Sequence, residues 1–182
     1  MVSSDGRVPD LINETAVNVV ALLKEPVGSK RVYAMRLDAF PLADDLQAAR
    51  LSGEVRLTKL RDEILGAAAL EGQVHLECVR CLRMYVQDVT VQFEEEYRQT
   101  VDVWTGAGVQ TEEPVEVDVE RFAISPDHEV DLAEAIRQHL LLALPMRPDC
   151  GDVCPGPDAV EAGEEPVDDR LAALAALLEE QP

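Results

Sequence analysis

Alternation of apolar and polar residues dominates the first two-thirds of the chain. Over residues 32–40, Tyr33, Met35 and Leu37 fall on one face and Val32, Ala34 and Arg36 on the other. That period of two is the one a β-strand imposes on its side chains. A second strand is expected over residues 54–60, where Val55 and Leu57 share a face. Arg61, Asp62 and Glu63 make a polar turn, and extended chain resumes over residues 64–78. There Val74, Leu76 and Cys78 oppose His75 and Glu77. Gly66 and Gly72 interrupt this stretch, and glycine inside a strand marks a bend or bulge. Residues 84–97 form the longest expected strand, with Val89, Val91 and Phe93 alternating with Thr90, Gln92 and Glu94. Residues 115–124 alternate again and place Glu116, Asp118 and Glu120 on one acidic face. Strands at such short spacing predict an antiparallel sheet or a small barrel.

The period then changes. Leu132, Ile136, Leu140 and Leu144 recur every four residues, with Ala133 and Leu141 beside them, which predicts a helix over residues 131–144. Asp131 is placed to cap it, Glu134 to complete a capping box, and Pro145 to stop it. A short second helix is expected over residues 169–180, with Leu171, Leu174 and Leu178 on one stripe. Residues 11–24 mix signals: Val17, Val19 and Val20 favour a strand, while 21–24 favour a short helix ended by Pro26 and Gly28. Residues 100–114 read as a loop, and its Trp104 is expected to pack back onto the domain. The class is therefore α+β, mainly antiparallel sheet or a small barrel with a packed C-terminal helix. Residues 1–16 read as a flexible tail, 17–148 as one β-rich domain, and 149–182 as an acidic tail containing cysteines.

Charge narrows the choice of partners. Of 182 residues 47% are hydrophobic but only 4% aromatic, so the core is built from Val, Leu, Ile and Ala. The net charge of −20 is unevenly spread. Residues 24–98 hold 11 Lys and Arg against 13 Asp and Glu, whereas residues 99–182 hold 4 against 20. Such a chain is repelled by phosphate backbones, so RNA contact is expected to be weak or indirect, and basic proteins are the favoured partners. Lys30, Arg31, Arg36, Arg56, Lys59, Arg61, Arg80 and Arg83 could gather locally on a sheet face. No aromatic residues interleave with them, and a solvated strand face is the simpler reading. Residues 1–10 lack the apolar region of a signal peptide, and the longest apolar run, 140–144, is too short to cross a membrane. A cytoplasmic location with reduced cysteines is expected.

The strongest chemical signal is four cysteines in two pairs. Cys78 and Cys81 form C-x2-C, and Cys150 and Cys154 form C-x3-C. Each pair can supply two corners of a zinc tetrahedron, and together they would close a structural site. Four partly buried reduced thiols are the alternative. A redox pair is a third, although redox C-x2-C motifs open helices and this one joins strands. His75, His128 and His139 are scattered, and none adjoins a Ser or Cys in a nucleophile arrangement. No phosphate-binding glycine motif is present, and no catalytic residue is assigned.

Several of these segments, in order, resemble the YceD family. LECVRCL is similar to its Cys-x-Arg-Cys-Leu signature, through Cys78, Arg80, Cys81 and Leu82. HLLLALPMRPDC resembles its Leu-rich helix ending in Leu-Ala-Leu-Pro, and CGDVCPG its Cys-x3-Cys-x-Gly segment. DDRLAALAALL resembles its closing Asp-Pro-Arg helix, with Asp169 where Pro is usual, and LLKEPVGSKR its leading Leu-Leu-x-x-Pro-Gly segment, with Val27 inserted before Gly28. Many relatives carry a further Cys-x2-Cys-Gly, where this chain has Pro157, Asp158 and Ala159. The resemblance implies a non-catalytic accessory factor in large-subunit ribosomal RNA accumulation and ribosome biogenesis. Its implied partner is a ribosomal protein or a pre-ribosomal large-subunit particle. The rival readings are a thiol- or metal-dependent enzyme acting on RNA or protein, and an acidic chaperone-like module for a basic ribosomal protein.

Overall fold

The alternating segments pair with one another in sequence order. In the computed structural model, residues 10–109, 122–152 and 154–156 are described. Their elements are β1 (Asp10–Ile12), β2 (Ala16–Asn18), α1 (Val20–Leu23), β3 (Lys30–Ala43), β4 (Leu46–Lys59), β5 (Glu63–Glu77), β6 (Met84–Gln99), β7 (Phe122–Ile124), β8 (Glu129–Asp131) and α2 (Ala133–Ala143). The terminal helix expected over 169–180, the acidic face of Glu116, Asp118 and Glu120, and the first nine residues lie outside the described residues.

One six-stranded sheet has the order β1-β3-β4-β5-β6-β7, and β2 pairs with β8 separately. The four long strands form an antiparallel meander, while β1 runs parallel to β3 and β7 parallel to β6. The fold is thus a sheet-dominated α+β arrangement with a mixed sheet. It is not a closed barrel, because β1 and β7 are not paired with each other.

The inner face of the sheet carries Tyr33, Met35, Val55, Leu57, Ile64, Leu70, Val91, Phe93 and Tyr97, all buried. Helix α2 lies against β6 and β3 and adds Leu132, Ala135, Ile136 and Leu140 to this core. Removing each such aliphatic side chain from water stabilises the fold by about 1.5–3 kcal/mol. The chain ends are clamped together: Val17 pairs with Val130, Val19 N–H donates to the His128 carbonyl at 2.9 Å, and Leu132 N–H to the Thr15 carbonyl at 3.0 Å. The mixed signals of residues 11–24 are resolved as a strand followed by one helical turn. The ammonium of Lys59 reaches the Leu23 and Glu25 carbonyls at the end of that turn, where a cation is favoured.

Two expectations change. Strand β5 pairs with β6 without a break from Glu63 to Glu77, so neither Gly66 nor Gly72 bulges against it. The irregularity is on the other side, in β4 between Ala49 and Ser52, opposite Gly72, and Arg50 there has a positive φ of 53°. Gly53 has a different role, since a Cβ at this position would lie 2.0 Å from the Ala69 carbonyl oxygen. Only glycine permits β4 and β5 to approach so closely. The capping box also differs. Asp131 does accept the Ala133 N–H at 2.9 Å, but the Glu134 carboxylate bonds Arg137 and Gln138. The guanidinium of Arg137, then the amide of Gln138, hold Glu134 down to about 2.

Candidate metal centre

The turn joining β5 to β6 presents the first cysteine pair. Cys78 N–H donates to the Arg83 carbonyl at 3.0 Å, and Leu82 N–H to the Cys78 carbonyl at 2.8 Å, closing a tight knuckle. Leu82 takes a left-handed φ of 57°, which a non-glycine residue adopts only where its surroundings enforce it. The second pair lies just beyond α2. Pro145 ends the helix, and the following chain runs back past the knuckle, where Val79 N–H donates to the Pro148 carbonyl at 3.0 Å. A second turn then forms: Cys154 N–H donates to the Gly151 carbonyl at 3.0 Å, and Gly151 has φ 82°, natural for glycine.

Asp149 joins the two turns. Its carboxylate accepts the Gly151 N–H at 2.8 Å and faces the Arg80 guanidinium at 3.4 Å. These contacts, led by the Gly151 N–H, hold Asp149 below the usual carboxylate range. Arg80 is therefore partnered, whereas Arg83 is exposed in the same knuckle.

The result is that Cys78, Cys81, Cys150 and Cys154, 69 or more residues apart across the two pairs, converge. The sulfurs of Cys78 and Cys154 are 3.8 Å apart, those of Cys81 and Cys150 3.7 Å apart, and all four lie within 4.8 Å of one another. A tetrahedron with metal–sulfur bonds of about 2.3 Å has edges of about 3.8 Å. The four side chains thus fit a divalent ion with soft-ligand preference. Cys78 is fully buried and the other three are partly so. Burial pushes the Cys78 thiol up, but the backbone N–H groups of Cys150, Arg80 and Cys81 outweigh it and bring it down to about 6. Burial and the neighbouring cysteines push Cys150 up to about 12. Four sulfurs this close cannot all carry charge unaided, and a cation among them relieves that repulsion.

The other sequence candidates fall elsewhere. His75 stands on the exposed outer face of β5. His128 lies in the turn between β7 and β8, with φ 60°. His139 is not simply a surface residue: its ring stacks on Phe93 at 4.5 Å and its Nε2 is 2.9 Å from the Glu95 carboxylate. Glu95 occupies an inward position of β6 after Val91 and Phe93, and a carboxylate on that apolar face was the available signal for a partner.

The basic residues do not form one patch. Arg31 pairs with Glu25 at 2.7 Å and Lys59 is held by α1, while Arg36 and Arg56 share the outer sheet face with Glu54. Trp104 is 71% exposed, contrary to the expectation that it packs inward. Asp102 accepts the N–H groups of Trp104 and Thr105 and so fixes a turn that directs the indole outward, with the Lys24 ammonium 5.3 Å from its ring centroid.

Among the described residues no helix is long and apolar enough to cross a membrane. Nothing among curated proteins or solved structures matches the chain. The sequence profile of one family does match, over residues 67–178, a span that runs from β5 through both cysteine pairs. The chain therefore belongs to the family described as large ribosomal RNA subunit accumulation protein YceD.

Proposed function

We propose that the chain is a non-catalytic, cytoplasmic accessory factor in accumulation of large-subunit ribosomal RNA, and that it acts by binding. Cys78, Cys81, Cys150 and Cys154 hold a structural zinc in this reading. The observation that carries it is the near-tetrahedral set of four sulfurs. A metal with four thiolate ligands has no open position for substrate, so it ties β5, β6 and the segment after α2 together.

The partner is a basic ribosomal protein or a pre-ribosomal large-subunit particle carrying one. The outer sheet face supports this. Ala67 and Ala69 floor a trough of about 460 Å³ bounded by Glu54, Arg56, Gln92 and Glu94. Glu71, Asp88 and Glu96 are exposed on the same two strands. Small side chains leave room for an extended peptide, and the carboxylates favour lysine and arginine on it. RNA contact is weak or indirect, because a −20 chain repels phosphate.

The test is deletion of the gene, followed by measurement of large-subunit ribosomal RNA. Deletion should lower it, and Cys150→Ser with Cys154→Ser should fail to restore it. Normal levels in the deletion strain would reject the role. Full rescue by variants with Glu54, Glu71 and Glu94 neutralised would reject only the acidic contact.

A further inference from the structure

The knuckle carries a second unusual feature. Leu82, Met84 and Met146 are 71%, 62% and 105% exposed, and Val79 and Val86 are about half exposed. Met84 and Val86 project from the outer face of β6, Leu82 and Val79 belong to the turn before it, and the Val79–Pro148 hydrogen bond brings the Met146 segment alongside. Large aliphatic side chains grouped at one end of a small domain mark a covered surface. They are aliphatic rather than aromatic, which disfavours stacking on nucleic-acid bases.

We propose that this patch is covered by the chain's own C-terminal segment, with Leu171, Leu174 and Leu178 laid on Leu82, Met84 and Met146. Three observations support that occupant. First, the described chain ends at Gly156, two residues past Cys154, so the remaining 26 residues start at the edge of the patch. The fifteen residues from Gly156 to Leu171 could span up to about 50 Å when extended, so reach is not limiting. Second, Leu171, Leu174 and Leu178 form a one-sided stripe at helical spacing, matching an apolar surface that has nothing on it. Third, the segment is acidic, with eight Asp and Glu against Arg170 in residues 157–182. Within a chain of net charge −20, the knuckle end offers Arg83 and Arg147, balanced by Glu77 and Asp152, and is nearly neutral. An acidic segment meets the least repulsion there. Tethering adds to this, since a short flexible linker holds its segment at an effective concentration in the millimolar range, above that of any free competitor. The segment therefore shields the patch until a partner displaces it. This inference concerns the isolated chain and stands or falls independently of the ribosomal role.

The test uses the full chain as purified, with its metal content measured. A photoreactive benzoylphenylalanine is placed at position 82 in an equal mixture of isotopically light and heavy protein. Illumination should link position 82 to a peptide within residues 171–182 of the same isotopic label. Links between labels would assign the patch to a second copy, and links to other segments or none would also overturn the proposal. In parallel, hydrogen exchange at residues 79–86 is compared between the intact chain and a Leu171→Asp, Leu174→Asp, Leu178→Asp variant of equal metal content. The variant should exchange at least about fivefold faster there, with the sheet unchanged. Equal rates would overturn the proposal.

Discussion

The β5–β6 hairpin is held differently at its two ends. At one end Ile64 faces Tyr97 across the ladder, both at 1% exposure or less, under Ile124 and the apolar face of α2. At the other, Glu77 faces Met84, and the turn beyond them exposes Val79 and Leu82. The first end is stabilised by burial alone. The second buries little besides Cys78 and depends on four sulfurs, the Arg80–Asp149 pair and a few backbone hydrogen bonds. A single hairpin thus joins a region that needs no ligand to one that does.

The sharpest way to break this contrast is to damage each end separately. Leu140→Ala, in a fully buried position, should lower global stability by about 2–5 kcal/mol, read from denaturant unfolding. Chelation or Cys154→Ser should instead loosen the knuckle while leaving the sheet folded. Hydrogen exchange would then accelerate at residues 78–83 and remain slow at Val55 and Leu57. Cooperative loss of both regions on chelation would show that the two ends are one unit.

Acidity gives a smaller effect with a distinct shape. In metal-free protein Cys78 is depressed from about 9 to about 6, so its contribution is complete above pH 9 and fades as pH falls through 6. Cys150 is raised from about 9 to about 12, so its contribution is complete below pH 9 and fades as pH rises through 12. The melting temperature of the chelated chain should therefore peak near pH 9. With zinc bound, the same curve should be flat from about pH 7 upward and fall in acid as protons displace the metal. Superimposable curves with and without zinc would show that the sulfurs do not hold it.

The mildest perturbation is Arg80→Ala or Asp149→Asn. Neither residue is a ligand, but each orients a turn that carries ligands, and such outer contacts typically change metal affinity by about tenfold or more. Faster zinc transfer to a competing chelator, with unchanged sheet stability, is the expected result.

How much of this was legible beforehand follows from where alternation holds. Strands β5 and β6 keep one phase throughout, and their expected bounds were close to those found. Strand β4 was recognised only from residue 54, because its inward set changes parity at Arg50. Ala48 is buried on the near side of the bulge, and Leu51, Val55 and Leu57 are buried beyond it. A similar change in β3, from Leu37 to Phe40 and Leu42, hid the end of that strand. Local pattern cannot register a phase change that is set by pairing with another strand. At the knuckle, cysteine spacing pointed to the ligand set, and the convergence of the two pairs was an open question that only tertiary structure answered. The Arg80–Asp149 contact was invisible, since nothing in either segment announces a partner 69 residues away.

That separation orders events during synthesis. Strands β3 to β6 each pair with their immediate predecessor, so the meander needs only short loops to close and can assemble as the chain lengthens. Cys78 and Cys81 complete its last hairpin but must wait for Cys150 and Cys154, about 70 residues later. A nascent chain stopped before residue 150 would have a nearly finished sheet and half a binding site. Closure of the cysteine cluster therefore acts as a completion signal, available only after α2 has been made and the chain has turned back on itself.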